Sequence, residues 1–188
     1  LSGKIKFLLL LMLSMFWLTA CNQESTPEKM YIHLEEAVAL ENDFAEQQEP
    51  LVELEQQEKE LYDQIIDLGF EEFDQIQELS QEAISLIEER ADIIEVEKES
   101  IVAAKQEFDK IEPMIEEIEQ EDVKNAAVNM SNTMNERYNA YNDLHDIYLQ
   151  SIELDKELYE MLQTEDLQEA ELKKHIESIN ESYDKVIE

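Results

Sequence analysis

A chain of 188 residues is long enough for one ordinary domain, and 48 acidic against 14 basic side chains give it a formal charge of −34. A field of that sign repels phosphate backbones and anionic headgroups, so nucleic acid and polybasic-type membrane binding are both disfavoured. With two glycines and three prolines there are few places to turn, and aromatic and β-branched residues recur at intervals of three and four rather than two, so the chain is expected to be all-α.

Lys4 and Lys6 precede an apolar run from Phe7 to Leu18. At helical rise the run covers about 18 Å, short of the roughly 30 Å hydrocarbon core, so residues 1–20 are expected to be a signal peptide rather than a stable span. The run ends Leu18-Thr19-Ala20-Cys21, which resembles the lipobox of bacterial lipoproteins. There, small residues fit the signal peptidase and the cysteine sulfur takes a diacylglyceryl group. Cys21 is the only cysteine, so no disulfide competes for it, although an ordinary thiol is the plainer alternative. Two acyl chains such as palmitate hold a protein on a membrane where one would let go. This covalent lipid is the one attached group expected, and no cofactor is.

Asn22 to Pro27 are short, polar and end in a helix breaker, so residues 21–27 form a lipidated cysteine and tether ahead of a bundle domain over 28–188. A first helix is expected from about Glu28 to Leu68, with Tyr31, Leu34, Val38 and Ala45 before Pro50, then Leu51, Leu54, Leu61 and Ile65 after it. Pro50 removes a backbone donor and predicts a kink or break. Gly69 is the clearest stop, free to take the left-handed conformation that ends many helices.

The axial stretch runs from Phe73 to Asp122. Alternating steps of three and four pick out Phe73, Ile76, Ser80, Ala83, Ile87, Arg90, Ile94, Glu97, Ile101, Ala104, Phe108, Ile111, Ile115 and Ile118. All but Ser80, Arg90 and Glu97 are apolar, a stripe that other helices must cover. Pro113 falls within the register and predicts a kink, with the turn to the next helix near Glu119 to Val123. A turn at Glu112-Pro113 itself is the alternative, because proline suits the first turn of a helix.

A third helix is expected over about Val123 to Gln163, with a broad apolar face that includes Met130, Met134, Tyr138, Tyr141, Leu144, Tyr148, Ile152 and Tyr159. A fourth, shorter helix carries Leu172, Ile176, Ile179, Tyr183 and Val186, with Thr164 as N-cap for the acidic Glu165-Asp166. The result is an elongated antiparallel helical bundle, three long helices and one short, with left-handed coiled-coil-like packing. A forty-residue helix is about 60 Å long.

Five polar residues are expected in the core: Ser80, Arg90 and Glu97 in the stripe, and Arg137 and Asp155 on the third helix. Such residues pin the register of facing helices. Folding about the assigned turns puts Arg90 level with Gln48 and Ser151, and Glu97 level with Glu41 and His145. Glu41, Glu97 and His145 are therefore the candidates for a metal site, a weak one, since no acid stands three residues before His33, His145 or His175 to make the di-iron pattern. Tyr138, Tyr141 and Tyr148 could stack sugars if exposed, but their spacing beside leucines and methionines favours core. Glu58-Lys59-Glu60-Leu61-Tyr62 is echoed by Asp155-Lys156-Glu157-Leu158-Tyr159, too short a match to establish duplication. No nucleophile motif, phosphate loop or paired Cys/His spacing appears, so no enzyme is expected.

The chain resembles the YkyA family of cell-wall-binding lipoproteins of Gram-positive bacteria. The carriers are Gln47-Gln48 before Pro50-Leu51, Glu89-Arg90, Glu97-Lys98-Glu99-Ser100, Arg137-Tyr138 with Ala140-Tyr141, Asp155 to Tyr159, and Asn180. The resemblance implies a helical bundle on the outer face of the cytoplasmic membrane, with cell-wall polymer or another envelope protein as partner. It brings no catalytic or binding residues with it. A lipoprotein carrying a metal or small ligand is the alternative.

Overall fold

The computed structural model describes residues 25–187. The expected signal peptide and lipobox, including Leu18, Thr19, Ala20 and Cys21, lie outside the described residues. Within them the chain is all-α, without strands: α1 (Thr26–Leu40), α2 (Asn42–Asp67), α3 (Phe73–Phe108), a one-turn α4 (Glu112–Ile115), α5 (Glu121–Leu162) and α6 (Glu169–Ile187). Helix α3 is the axis. α1 and α2 pack along it, α5 packs against it, and α6 packs on α5.

The heptad stripe behaves as its spacing demands. From Ser80 to Ile115 every stripe residue is buried, and Phe73, Ile76 and Ile118 at its ends are partly covered. Two apolar cores form along it. One gathers Met30, Ala37, Ile101, Phe108, Ile111 and Tyr138; the other gathers Leu61, Ile65, Ile84, Ile87, Ile94, Ile152 and Tyr159. Glu97 lies in the stripe between Ile94 of the second core and Ile101 of the first, so a polar layer separates them.

Several local expectations change. The first helix starts earlier, at Thr26, because Ser25 caps it: the Ser25 N–H and hydroxyl donate to Glu28 Oε2 at 2.7 and 2.9 Å. The break falls at Glu41, not Pro50, and α2 runs unbroken through Pro50. Pro50 and Glu46 are both exposed, so the carbonyl that the proline leaves unpaired faces water. At Glu41 the cause is a side chain from α3. Ser100 Oγ donates to the Leu40 carbonyl at 2.6 Å and accepts from the Phe44 N–H at 3.2 Å. It thus occupies the place of the helical bond between them.

Gly69 does end the region after α2, but in an extended conformation, φ −93° and ψ 163°, not a left-handed one. Its N–H donates to Glu72 Oε2 at 3.1 Å, so it opens the 3-10 turn Phe70–Glu72 that leads into α3. Past Phe108 the axis continues through the 3-10 turn Asp109–Ile111 into α4, where Pro113 sits in the first turn. The chain then reverses before Glu121, slightly earlier than expected. Thr164 is not the cap of the last helix. It lies in the turn after α5, and α6 begins only at Glu169.

Candidate functional site

A concavity of about 490 Å³ opens between α2 and α6 over a floor from α3 and α5. Its base is Arg90, 2% exposed. The heptad stripe drives this guanidinium into the interior, where it survives because acids and phenols surround it. Nη1 pairs with Glu58 and reaches Asp155 at 3.4 Å. Nη2 donates to the hydroxyls of Tyr148 at 2.9 Å and Tyr183 at 3.1 Å and stands 3.6 Å from Glu55. Tyr148 in turn donates to Glu55, and Tyr183 to Asp155. The Tyr148 ring lies 5.5 Å from the guanidinium carbon. Leu158, Ile176, Ile179 and Val186 line the cleft beside these polar groups.

One buried cation therefore faces three carboxylates. Burial pushes the Glu58 carboxyl up to about 7, with Arg90 opposing and Asp155 reinforcing. Burial raises Asp155 too, against its bonds from Tyr183 and Arg90. The pentapeptide echo acquires a physical meaning here. Its two leading acids, Glu58 and Asp155, meet the same nitrogen of Arg90, its leucines are both buried, and its tyrosines, Tyr62 and Tyr159, both line the cleft.

A second cavity of about 220 Å³ adjoins the first, sharing Tyr148 and Val186 with it. It lies at the polar layer between the two cores, lined by Phe44, Gln48, Glu97, Tyr141 and His145 among apolar neighbours. Glu97 is 4% exposed, accepts from Gln48 Nε2 at 2.6 Å, and is pushed by burial up to about 7. His145 Nδ1 stands 3.2 Å from Asp146 Oδ1, while its Nε2 and the Tyr141 hydroxyl are buried with no hydrogen-bond partner among the described residues.

The register of α5 on α3 is as expected: Glu97 and His145 share a cavity, and Ser151 lies between the Arg90 partners Tyr148 and Asp155. On the other side it is displaced by about two turns. Gln48 meets Glu97 rather than Arg90, seven residues further along α3 than its expected level. Glu41 therefore does not join Glu97 and His145. It is clamped by Arg137, both Nη atoms donating at 2.6 Å, and it accepts from Tyr138 at 3.4 Å. No group of three or more potential metal ligands forms among the described residues.

Of the five polar residues expected in the core, Ser80, Arg90, Glu97 and Asp155 are buried. Arg137 is not. Its guanidinium carbon lies over the Tyr138 ring, 5.5 Å from the centroid, and the side chain stays 44% exposed. Tyr138 is core, and Tyr141 and Tyr148 are half-buried walls of the cavities. Sequence reasoning named Glu58 only in the echo and Tyr183 only on the last helix's apolar face, and assigned neither to Arg90. The signal was present for Glu58, which falls on the α2 seam between Leu54 and Leu61.

No helix among the described residues is long and apolar enough to cross a membrane. A family model described as "YkyA: Putative cell-wall binding lipoprotein" matches residues 25–188. A Bacillus subtilis (strain 168) protein named "Uncharacterized lipoprotein YkyA" is 31% identical over 170 residues, which cover 90% of this chain and 76% of that one. No solved structure matches the chain. With the match running through every described helix, this chain belongs to the YkyA family.

Proposed function

We propose that the mature chain is a lipoprotein held by diacylglycerol on Cys21 at the outer face of the cytoplasmic membrane, where its bundle binds cell-wall polymer or an envelope protein without catalysing a reaction. The observation that carries this reading is the family match over the whole bundle, immediately behind a leader that ends Leu18-Thr19-Ala20-Cys21. Geometry supports it. Helix α1 begins within five residues of Cys21, and a tether of Asn22 to Ser25 reaches at most about 14 Å, so one end of the bundle stays near the lipid. The Arg90 cleft starts some thirty residues up the α1–α2 rod, about 45 Å along the helix axis. A body planted on that end would present the cleft toward the wall.

Labelled palmitate should enter the protein and be lost in Cys21→Ala. The full chain should co-sediment with sacculi or capture an envelope protein by crosslinking on intact cells. Calcium belongs in one arm of the sedimentation, since the −34 charge repels anionic wall polymers unless divalent ions bridge the two. Neither sedimentation nor capture, with and without calcium, would overturn the binding part of the proposal. A small-ligand lipoprotein is the second reading, favoured by the two adjoining cavities.

A further inference from the structure

The smaller cavity has the composition of a site rather than of a packing gap. Among its lining residues Glu97 and His145 are buried, and no lysine or arginine is among them. Glu97 makes no ion pair among the described residues; its partner is the neutral amide of Gln48. Buried carboxylates are ordinarily paired with a cation. Lys98 does not serve, since it binds Asn142 and stands over the Tyr141 ring, at 5.6 Å, without lining the cavity.

His145, 8% exposed, supplies an independent pointer. Its Nδ1 faces a carboxylate oxygen of Asp146 at 3.2 Å, and a carboxylate can only accept, so Nδ1 carries the hydrogen. In the neutral imidazole Nε2 then presents a lone pair, and that lone pair has no partner among the described residues. The buried Tyr141 hydroxyl is likewise unpartnered. Three acceptors, Glu97, His145 Nε2 and the Tyr141 oxygen, thus line one small space. Aromatic rings complete it: Phe44 meets Tyr141 edge-on at 5.8 Å, and Tyr148 forms part of the wall.

We propose that this cavity binds a small organic ammonium ion, a protonated primary amine on a compact apolar body. The three N–H bonds of such a group match the three acceptors, and the aromatic faces favour a cation. An apolar cavity of about 150 Å³ accommodates benzene, so about 220 Å³ takes one ring with a short aminoalkyl arm. The charge of −34 concentrates cations around the body, and Tyr148 and Val186 line both this cavity and the Arg90 cleft. The site is independent of wall attachment, and sedimentation with sacculi does not bear on it.

The test is titration of the full chain, in a neutral detergent, with benzylamine, benzyl alcohol and benzoate, which share a ring and differ in head-group charge. Calorimetry and the ring resonances of Tyr141 and His145 report binding. Benzylamine is expected to bind saturably at one site, to persist in added salt, and to outbind benzyl alcohol by about tenfold or more, with benzoate inert. Glu97→Gln should weaken benzylamine by a similar factor, whereas Glu58→Gln, in the neighbouring cleft, should leave it unchanged. Should Glu97→Gln fail to fold, Leu144→Trp at the half-exposed edge of the cavity should block binding in its place. Binding that survives both Glu97→Gln and Leu144→Trp, that salt abolishes, that Glu58→Gln removes, or that the alcohol matches would overturn the proposal. So would no binding by benzylamine at all.

Discussion

Ser100 breaks the first helix of the bundle by donating its hydroxyl hydrogen to the carbonyl of Leu40, 2.6 Å away, a carbonyl that an uninterrupted helix would pair with the Phe44 N–H. The same oxygen accepts that N–H at 3.2 Å. A side chain from the axial helix therefore stands inside the hydrogen-bond ladder of its neighbour, one of the few recognised ways to interrupt a helix without proline or glycine. Ser100→Ala should leave both backbone groups without their partner and cost about 1–2 kcal/mol, measured by urea denaturation. Unchanged stability would mean that the ladder closes on its own and that Ser100 is incidental to the break.

Arg90 is the second point of leverage. Arg90→Met leaves Glu58 and Asp155 buried without their cation, and removing one partner of such a cluster costs about 3–5 kcal/mol. Replacing all three by apolar residues of similar volume should recover most of that loss. A single Arg90→Met variant as stable as the parent would show that the acids already sit protonated and neutral.

The pH dependence follows from Glu58 and Glu97, both pushed by burial up to about 7. Their folded values lie above the unfolded one, about 4.3, so the folded chain holds more protons between the two. The contribution of these groups to stability is complete below the unfolded value and is lost as pH rises through about 7. The melting temperature should therefore fall from pH 5 to pH 8, and Glu97→Gln and Glu58→Gln should each flatten the fall. A melting temperature that rises over this range would contradict the burial of both groups.

Gly69 makes no use of glycine's backbone freedom in the folded chain, while that freedom still adds entropy to the unfolded one. With φ −93° it sits where any residue can, and a Cβ there would meet only Glu72 Oε2, at 4.0 Å. Gly69→Ala should stabilise the protein by about 0.4–1 kcal/mol by restricting the unfolded chain, read as a higher denaturation midpoint. Destabilisation would indicate that the turn needs a conformation other than the extended one.

The helical class, the seam of α3 and the approximate extents of the long helices could be read from residue spacing alone, because burial on a helix repeats with a period that the chain itself displays. The polar residues Ser80, Arg90, Glu97 and Asp155 were legible as interior for the same reason. Arg137 was misjudged on that criterion, since a long side chain can start from a seam-like position and still carry its charge into water.

What spacing could not decide was which levels meet. Register between helices depends on the geometry of the reversal and the stagger of the helices that leave it, and Gln48 stands at Glu97, seven residues from its expected level at Arg90. That shift separates Glu41 from Glu97 and His145 and brings Glu55 and Glu58 to Arg90, while Asp155 and the two phenols reach it from α5 and α6. The sequence by itself determined that this is an acidic all-helical chain with polar residues on a buried seam. Only the tertiary structure determined which of those residues share a cavity, because proximity across helices is set by the geometry of the turns and not by any periodicity along the chain.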